Sequence, residues 1–488
     1  MSKRISIDPI TRLEGHGRIE IFLDDNGDVE NVYFQVPELR GFEKFCEGHP
    51  VEELARITTR ICGVCPEAHH MASAKAADAV YKVEIPPTAK KLRELLYSAF
   101  FVTDHATHFY ILGGPDFIMG PDADPKVRNI LGVIGKVGEE IGLRVINTRH
   151  ECHRIIKMLG GRTVHPVCAI PGGISKALTE EEREEVEAIA RRTVEFGKFS
   201  LDLFDDMVLG NKAYLAMIRS DAYSHRTHSI GTVDENNHVN FYDGQLRVVD
   251  TEGEELARFH PSEYLDHLAE RVEPWTYLKF PYLKKVGWKG LVDGQDSGVY
   301  KATPLSRLNA ADGMATPMAQ EAYDKMFSTL GGKPVHATLA THWARLVEMM
   351  YAAERLLELA TDPEITSTDI RAIPKATPSE GVGCVEAPRG TLIHHYTTDE
   401  RGLVRKVNLI VGTTNNNAAI CMSLKKAAQK VIRGGAQVSE GLLNLVEMAF
   451  RAYDPCLACA THSLPGDMPL VITIHDSSGQ VVDTVSRD

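Results

Sequence analysis

The sequence lacks a long apolar segment. It contains no run of about 18 uncharged apolar residues, which is near the shortest length that spans a bilayer as a helix. Its start also lacks the apolar stretch of a secretory signal, because MSKR leads directly into an alternating, strand-like pattern. We therefore expect a cytoplasmic protein without a membrane span.

Basic charge is also scarce. The chain has 54 Lys and Arg against 67 Asp and Glu, which gives a formal net charge of -13. Nucleic-acid binding requires clustered cationic side chains that neutralise phosphates. The balance of charge thus argues against a nucleic-acid partner.

Cysteine is sparse as well, with nine residues in a chain of 488. A disulfide framework needs a higher density and an even count, so thiols or metal ligands are the expected use. Four of the nine form two CxxC pairs near opposite ends of the chain, Cys62 with Cys65 and Cys456 with Cys459. Free cysteines are usually small buried apolar residues. We assign that role to Cys46, Cys152, Cys168, Cys384 and Cys421.

The spacing within each pair suits metal binding. Residues three apart face the same side of a helical turn, so the two thiols of a pair can point at one ion. Pro66 is typical of a first helical position, which would make Cys65 an N-cap, where the helix dipole lowers a thiol pKa. If the two pairs meet, they form a site with four thiolate ligands.

A single CxxC pair has other interpretations, namely half of a structural zinc site, a redox dithiol or coincidence. Zinc modules usually place both halves within a few tens of residues, and a redox pair needs no second pair. Both features disfavour these alternatives. Four thiolates alone still leave zinc and an iron–sulfur cluster open.

The periodicity of the chain is mainly helical, with β elements at its edges. Residues 1–36 alternate in strand fashion around a turn at 24–28, and residues 225–335 read as short strands and loops. Residues 380–414 also predict strands. Helical spacing covers 51–112, 125–159, 334–359 and 417–452, and Thr179 is placed as the N-cap of a further helix.

These patterns predict a mainly α fold with peripheral β, of the α+β class, built on a large helical-bundle core with small sheets. The chain offers no repeat, low-complexity run or proline-rich linker that would mark a boundary. We therefore expect one domain over residues 1–462, followed by an extension at 463–488 whose pattern predicts a hairpin.

Five motifs resemble those of one family. The two that contain the cysteines are RICGVCPEAH at 60–69 and DPCLACATH at 454–462. The others are TRLEGH at 11–16, RGFE at 40–43 and EAPRG at 386–390. Together they resemble the large, catalytic subunit of [NiFe] hydrogenases over nearly the whole chain. The HH at 69–70 and the RGFEKF stretch are most similar to the cytoplasmic branch linked to NAD(P), heterodisulfide reductase or similar acceptors.

The resemblance implies a metal centre in which Cys62 and Cys456 are terminal nickel ligands. Cys65 and Cys459 would bridge nickel to an iron that also carries cyanide and carbon monoxide. His69 would donate a hydrogen bond near a bridging thiolate.

The resemblance also implies a second metal site. Glu43 and His462 would bind Mg2+ or a similar ion, for which the carboxylate of Glu43 is a suitable hard ligand.

It further implies roles in the cleavage of H2. Glu14 would transfer the proton, Arg389 would lie over the open metal position, and Pro388 beside it would fix the loop. Asp116 and Asp454 would hold Arg389, and Thr413 would lie near the cyanides. From the residues alone, a solvated charge near a strand end is the favoured interpretation of Glu14. An ordinary surface arginine is the alternative for Arg389, and the adjacent Pro388 and Gly390, which fix a loop, weaken it.

The implied partners are a separate iron–sulfur small subunit, together with further electron-transfer subunits that carry flavin or iron–sulfur groups. In many relatives a protease removes the segment after the histidine that matches His462, so residues 463–488 mark either a precursor or a homologue that keeps its tail. Two other functions stay open. One is an H2-sensing regulatory hydrogenase, and the other is a metal-stabilised scaffold related to the quinone-site subunit of respiratory complex I.

Overall fold

The computed structural model describes residues 4–434, 439–462, 470–476 and 480–487. Its α-helices are α1 (Phe42–Cys46), α2 (Val51–Ile57), α3 (Pro66–Val80), α4 (Pro87–Thr107), α5 (Gly114–Ile118), α6 (Ile130–Val137), α7 (Glu139–Gly160), α8 (Glu180–Phe204), α9 (Lys212–Ile218), α10 (Tyr264–His267), α11 (Pro304–Ala310), α12 (Pro317–Leu330), α13 (Thr341–Ala360), α14 (Asn417–Val431), α15 (Glu440–Arg451) and α16 (Leu457–Ala460). None of these helices is both long and apolar enough to cross a bilayer.

The strands form six small sheets within the described ranges. The N-terminal sheet contains β1 (Arg4–Ile7), β2 (Arg18–Leu23) and β3 (Val29–Gln35), and a short pair contains β4 (Ala169–Ile170) and β5 (Gly173–Ile174). The other strands are β6 (His228–Val233), β7 (Gln245–Val249), β8 (Glu255–Phe259), β9 (Leu268–Val272), β10 (Lys279–Leu283), β11 (Tyr300–Lys301), β12 (Glu380–Ala387), β13 (Gly390–Thr398), β14 (Val404–Ile410), β15 (Leu470–His475) and β16 (Val481–Arg487).

Neighbouring strands in these sheets are antiparallel, except that β11 runs parallel to β6 at the edge of the order β11-β6-β7-β8. The sheet of β12, β13 and β14 is a meander whose first two strands pair from Glu380 with Thr397 to Ala387 with Gly390. Only residues 388 and 389 connect β12 to β13. This tight turn carries the predicted active-site arginine.

The core is a group of long helices around α13. This helix packs against α4, α8, α11 and α12, and nearly all of its side chains are buried. A helix that is buried on most faces lies inside its domain, not at the surface. The predicted N-cap of α8 is confirmed, since Thr179 and Glu182 form a reciprocal capping box. The predicted fold class, mainly α with peripheral β, is confirmed.

The prediction of a strand-and-loop region over 225–335 is wrong for its last part. Strands occupy this region only as far as β11, and α11 and α12 follow. Both helices begin at a Thr-Pro step, with Thr303 and Thr316 as N-caps and proline at the first helical position. This start signal outweighed the short alternating runs. The hairpin predicted in the tail is present as β15 and β16.

Helix α3 and strand β12 approach each other unusually closely. A Cβ atom added to Gly383 would lie 2.1 Å from the carbonyl oxygen of Ala72 and 2.3 Å from the backbone nitrogen of Ala76. Gly381, two residues earlier on the same face of the strand, meets the backbone of Val80 at 2.3 Å. The strand therefore rests directly on the helix backbone, and α3 carries the first CxxC pair at its N-terminus.

We predict that Gly383→Ala lowers the free energy of unfolding by about 3 kcal/mol, because backbone atoms of α3 cannot move aside as a side chain would. Gly135→Ala is the matched control. Among the described residues, no heavy atom lies within 4 Å of a Cβ built on Gly135, which is helical. The control should be neutral or slightly stabilising. Chemical denaturation of the two variants checks this, and equal stability would refute the close packing.

Candidate metal centre and active site

The two CxxC pairs meet in the folded chain. The sulfur atoms of Cys62, Cys65, Cys456 and Cys459 all lie within 4.8 Å of one another, and all four residues are buried. The Sγ atoms of Cys62 and Cys456 are 3.3 Å apart, and those of Cys65 and Cys459 are 3.4 Å apart. The predicted convergence is confirmed. Four buried sulfurs at this spacing form the donor set of a soft transition-metal site.

Helix ends place these sulfurs. Cys65 is the N-cap of α3 with Pro66 at the first helical position, as predicted. Cys456 is the N-cap of the short helix α16, and Cys459 lies inside that helix. The first pair therefore lies in the segment that leads into α3, the second pair occupies the first turn of α16, and the two helix starts meet at the sulfurs.

The thiol groups compete for one negative charge. Hydrogen bonds from the other three thiols, led by Cys456, hold the pKa of Cys62 well below its ordinary value. Burial raises the pKa of Cys456 and of Cys459 well above theirs. A bound cation supplies the compensation that four buried thiolates need.

The predicted low pKa at Cys65 is wrong. Hydrogen bonds from Cys456 and Cys459 lower the pKa of Cys65, but its contact with Cys62 and its burial raise the pKa to about 11. The contact with Cys62 and the burial of the thiol together outweigh the hydrogen bonds that lower its pKa. The thiol with the lowered pKa is Cys62, the other cysteine of the same pair.

Glu14 lies directly against the cluster. Its Oε2 accepts a hydrogen bond from Cys456 Sγ and another from the backbone N–H of Ala458, both at 3.0 Å. Its carbonyl oxygen accepts from the N–H of Leu457 at 3.0 Å. Gly15 permits this approach, because a Cβ there would lie 2.8 Å from the Leu457 side chain. Burial raises the pKa of Glu14 above its ordinary value.

Arg389 is a buried cation beside the cluster. Its Nη2 lies 2.8 Å from an Asp454 carboxylate oxygen, and its Nη1 donates to Asp104 at 3.1 Å. Arg389 and Thr413 line the same small cavity as Cys65, Cys456 and Cys459. The site therefore combines a fixed positive group with four sulfurs.

The predicted contact between Asp116 and Arg389 is wrong. Asp104, on α4, takes that position, and Asp116 lies on α5, beyond a π-helical segment at His108–Gly113. The extra residue in each turn of a π-helix rotates the following chain. The signal for Asp104 was a lone carboxylate within the apolar run of α4.

Asp116 belongs to another buried network. One of its carboxylate oxygens accepts from Arg451 Nη1 at 2.6 Å, and the other pairs with Arg12. Burial raises its pKa, but these two arginines hold the value below the ordinary one. Asn444 also donates to this carboxylate, at 3.2 Å. The network joins the segment between β1 and β2, which contains Arg12, to α5 and α15.

The remaining candidates of the first site lie around the sulfurs. His69 Nε2 is 3.6 Å from Cys459 Sγ, and its Nδ1 is 3.1 Å from a nitrogen of His394, which the sequence did not indicate. Burial lowers the pKa of His69 to about 4, so this imidazole is neutral. Thr413 Oγ1 accepts from the N–H of Cys456 at 3.0 Å. Pro388 is the first residue of the two-residue turn that carries Arg389.

The two residues predicted to bind Mg2+ also converge. His462 Nε2 lies 3.7 Å from a Glu43 carboxylate oxygen and 2.7 Å from the carbonyl oxygen of Leu409. His462 Nδ1 lies 2.7 Å from the carbonyl oxygen of Cys459. A neutral imidazole donates only one of these bonds, so its second nitrogen faces oxygen acceptors without a proton. A divalent cation bound beside His462 Nε2 would be coordinated by that nitrogen, the Glu43 carboxylate oxygen and the carbonyl oxygen of Leu409.

Family models match almost the full chain. A model described as nickel-dependent hydrogenase matches residues 40–126 and 142–462. A second model, described as HoxL-like, matches residues 4–39. The matched residues include both CxxC pairs, Glu14 and Arg389.

Curated relatives are similar over their whole length. The chain is 50% identical over 483 residues to an iron-sulfur subunit of the F420-non-reducing hydrogenase of Archaeoglobus profundus, with 99% of each chain covered. It is 37% identical over 501 residues to NAD-reducing hydrogenase HoxS subunit beta of Cupriavidus necator, with 100% of each covered.

Solved hydrogenase structures resemble this chain in fold. An NAD+-reducing [NiFe]-hydrogenase in the H2-reduced state superposes with a TM-score of 0.88 at 37% identity, covering 94% of this chain and 99% of that one. A [NiFeSe]-hydrogenase from Dm. baculatum shares the fold, with a TM-score of 0.74 at 22% identity, covering 95% of this chain and 100% of that one. The predicted large-subunit fold is confirmed. By sequence, by fold and by its four converging cysteines, the chain belongs to the nickel-dependent hydrogenase family.

Proposed function

We propose that this chain is the catalytic subunit of a [NiFe] hydrogenase, which cleaves H2 reversibly into protons and electrons. The observation that carries the proposal is the convergence of four buried cysteine sulfurs, with a carboxylate against one of them. Thiolates are the soft ligands that nickel and iron sites use. We assign Cys62 and Cys456 as terminal nickel ligands, and Cys65 and Cys459 as ligands shared with iron.

The first step for the protein is to remove a proton from the reacting H2. When bound, a nickel–iron centre supplies the Lewis-acidic position at which H2 is polarised for heterolytic cleavage. Cys456 is placed to accept the proton, because its Sγ is 3.0 Å from Glu14 Oε2. Glu14 is placed to carry it away, since its raised pKa brings the carboxyl closer to proton exchange near neutral pH.

Glu14 also provides the route outward. It is only partly buried and lines a cavity that opens to the surface. The other residues that line this cavity are Gly15, His16, Glu38, Leu39, Arg40 and Ala458. The carboxyl group of Glu14 therefore connects a buried thiol to solvent, as a proton relay must.

Arg389 supplies a fixed positive charge beside the sulfurs. Its guanidinium is held between Asp104 and Asp454, so it needs no reorganisation when charge develops nearby. Cyanide and carbon monoxide would be further ligands of the iron, and Thr413 and His69, which line the same cavity as three of the cysteines, would lie beside them. Pro388 keeps the turn of Arg389 rigid.

Electrons must leave through other proteins. In the described part of the chain, the four cysteines are the only group of three or more His, Cys, Asp or Glu side chains that converge closely enough to share one metal ion. We therefore propose that an iron–sulfur small subunit takes the electrons and passes them to further flavin or iron–sulfur subunits. Two relatives are named as NAD-reducing and F420-non-reducing hydrogenases, which favours a cytoplasmic enzyme of that branch.

The two alternative functions are less well supported. A scaffold related to the quinone-site subunit of complex I would not require four converging thiols, a carboxylate hydrogen-bonded to one of them and a buried arginine beside them. An H2-sensing hydrogenase would use the same centre, but the two relatives described above are named as F420-non-reducing and NAD-reducing hydrogenases.

We further propose that Glu43, His462 and the carbonyl oxygen of Leu409 bind Mg2+. The site links the N-terminal helix α1 to the segment that follows α16, so the ion would stabilise the position of the second CxxC pair. Glu270 supports the proposal, because one of its buried carboxylate oxygens lacks a hydrogen-bond partner and Glu43 and His462 are its neighbours.

Cys456→Ser is expected to abolish H2-dependent dye reduction and to lower nickel content sharply, because a hydroxyl does not replace a thiolate at a soft metal. Elemental analysis and dye reduction on the purified complex check both effects. Cys421→Ser is the control, since Cys421 is buried in α14 apart from the cluster and should keep both nickel and activity. Zinc in place of nickel in the unmodified complex would refute the enzyme assignment.

Glu14→Gln is expected to slow H–D exchange by about 10²–10⁴-fold while nickel stays bound, since the amide keeps the shape but carries no exchangeable acid proton. Exchange is followed by mass spectrometry of the evolved gas. Glu20→Gln changes another buried carboxylate of the N-terminal region and should leave the exchange rate unchanged. A fully active Glu14→Gln variant would remove Glu14 from the mechanism.

Glu43→Gln is expected to weaken Mg2+ binding by about 10-fold or more, because the anionic oxygen ligand is lost. The readouts are the magnesium content of the complex and the fall in its melting temperature on chelation. Glu47→Gln, at the C-cap of the same helix, is the control, because this half-buried carboxylate pairs with Lys44. If Glu43→Gln and the control bind magnesium equally, Glu43 is not a ligand.

A further inference from the structure

Hydrogen bonds from buried side chains fix the backbone of the turn that carries Arg389 and of the two residues before it. Four consecutive carbonyl oxygens, those of residues 386–389, each accept a hydrogen bond from a different buried side chain. The donors are Tyr97 Oη to Glu386 at 2.5 Å, Arg307 Nη1 to Ala387 at 2.7 Å, Arg345 Nη1 to Pro388 at 2.7 Å, and Asn416 Nδ2 to Arg389 at 2.7 Å. We name this set of four donors the carbonyl frame.

The frame compensates for the burial of a tight turn. The carbonyl groups of a two-residue hairpin turn usually face water, where their bonding is satisfied. Here the turn between β12 and β13 is inside the protein, so each carbonyl requires a protein donor. Because the donors come from α4, α11, α13 and the segment before α14, four elements fix the turn from different sides.

Arg345 also contacts the segment that precedes the second CxxC pair. Its Nη2 donates to the carbonyl oxygen of Tyr453 at 3.0 Å, and its Nη1 lies 3.7 Å from an Asp454 carboxylate oxygen. Pro388 comes directly before Arg389, and Tyr453 directly before Asp454. One guanidinium therefore holds the residue in front of each partner of the Arg389–Asp454 ion pair.

We propose that Arg345 is a positioning residue for H2 cleavage, which sets the location of Arg389 and Asp454 relative to the cysteine cluster. This inference rests on the proposed function. Arg345 acts through Arg389 and Asp454, because its polar contacts are with Pro388, Tyr453 and Asp454.

The backbone of Asp454 gives an independent reason for such a contact. Asp454 has a φ of 53°, in the left-handed region, which costs a residue with a side chain some free energy and is tolerated best by Asp and Asn. Arg345 holds the preceding carbonyl, and Pro455 follows on the other side. The strained residue is thus fixed two positions before Cys456, at the second CxxC pair.

An arginine is the residue type that this arrangement requires. Two carbonyl groups and a carboxylate lie around one planar group, and a guanidinium presents donors in several fixed directions. A lysine keeps the charge but offers a single flexible donor centre, so it cannot hold both loops in one geometry. Arg345 is completely buried, and two carbonyl oxygens and the Asp454 carboxylate offset only part of the cost of burying its charge, since burial lowers its pKa to about 10.

Arg345→Lys tests the proposal on the purified complex. We expect the turnover rate per bound nickel to fall about 10- to 100-fold, as for a small misplacement of a catalytic group, with less than about twofold change in KM for H2. Nickel content should stay at the unmodified level. Wild-type turnover in Arg345→Lys would overturn the proposal, whereas absence of nickel or H2 oxidation in the unmodified complex would instead refute the proposed function.

Arg93→Lys is the matched control. Arg93 is an equally buried arginine whose Nη2 donates to the carbonyl oxygens of Ile170 and Gly173, at 2.9 and 2.6 Å. Its replacement should lower the melting temperature but leave turnover per nickel within about twofold. An equal loss of turnover in both variants would show a merely structural effect and would contradict a positioning role.

A double-mutant cycle separates positioning from general damage. If Arg345 acts through Arg389, then adding Arg345→Lys to an Arg389→Lys background should change turnover by less than about twofold. Full multiplication of the two losses would overturn the proposal. Arg345→Gln, which keeps a planar donor without the buried charge, serves if the lysine variant does not fold, and the same cycle applies to it.

Discussion

The packing of four cysteine sulfurs into one buried cluster is the interaction on which the rest of the structure depends. It requires the start of α3, the start of α16 and the N-terminal turn with Glu14 to meet at one point, although these segments lie at opposite ends of the sequence. Buried thiolates are unfavourable unless a cation compensates them. The contact that closes the fold therefore also creates the need for metal.

A second layer of buried charge surrounds the cluster. Arg389 pairs with Asp104 and Asp454, and Arg345 bonds the backbone on both sides of that pair. Completely buried ion pairs contribute little net stability, because desolvation offsets their attraction. Their value here is geometric, since they keep a cation at a fixed place beside the sulfurs. The long helices packed around α13 form the rigid scaffold that holds these charged groups in place.

Much of this arrangement could be predicted from the sequence, because its signals are local. The CxxC spacing, Pro66 after Cys65 and the Thr179 cap each depend on neighbouring residues, and all were confirmed. Asp454 was predicted correctly as one partner of Arg389. The second partner, Asp104, could not be predicted, because a π-helical segment separates it from Asp116, which turns away. Frame donors such as Arg345 come from elements distant in sequence, so no local pattern marks them.

The four-thiolate nickel site is tested most directly by X-ray absorption spectroscopy at the nickel edge of the purified complex, which counts the sulfur atoms bound to the metal. We predict nickel with four sulfur ligands and one iron neighbour, in agreement with the single cluster of Cys62, Cys65, Cys456 and Cys459. Nickel bound only by nitrogen and oxygen, or zinc in its place, would contradict this assignment.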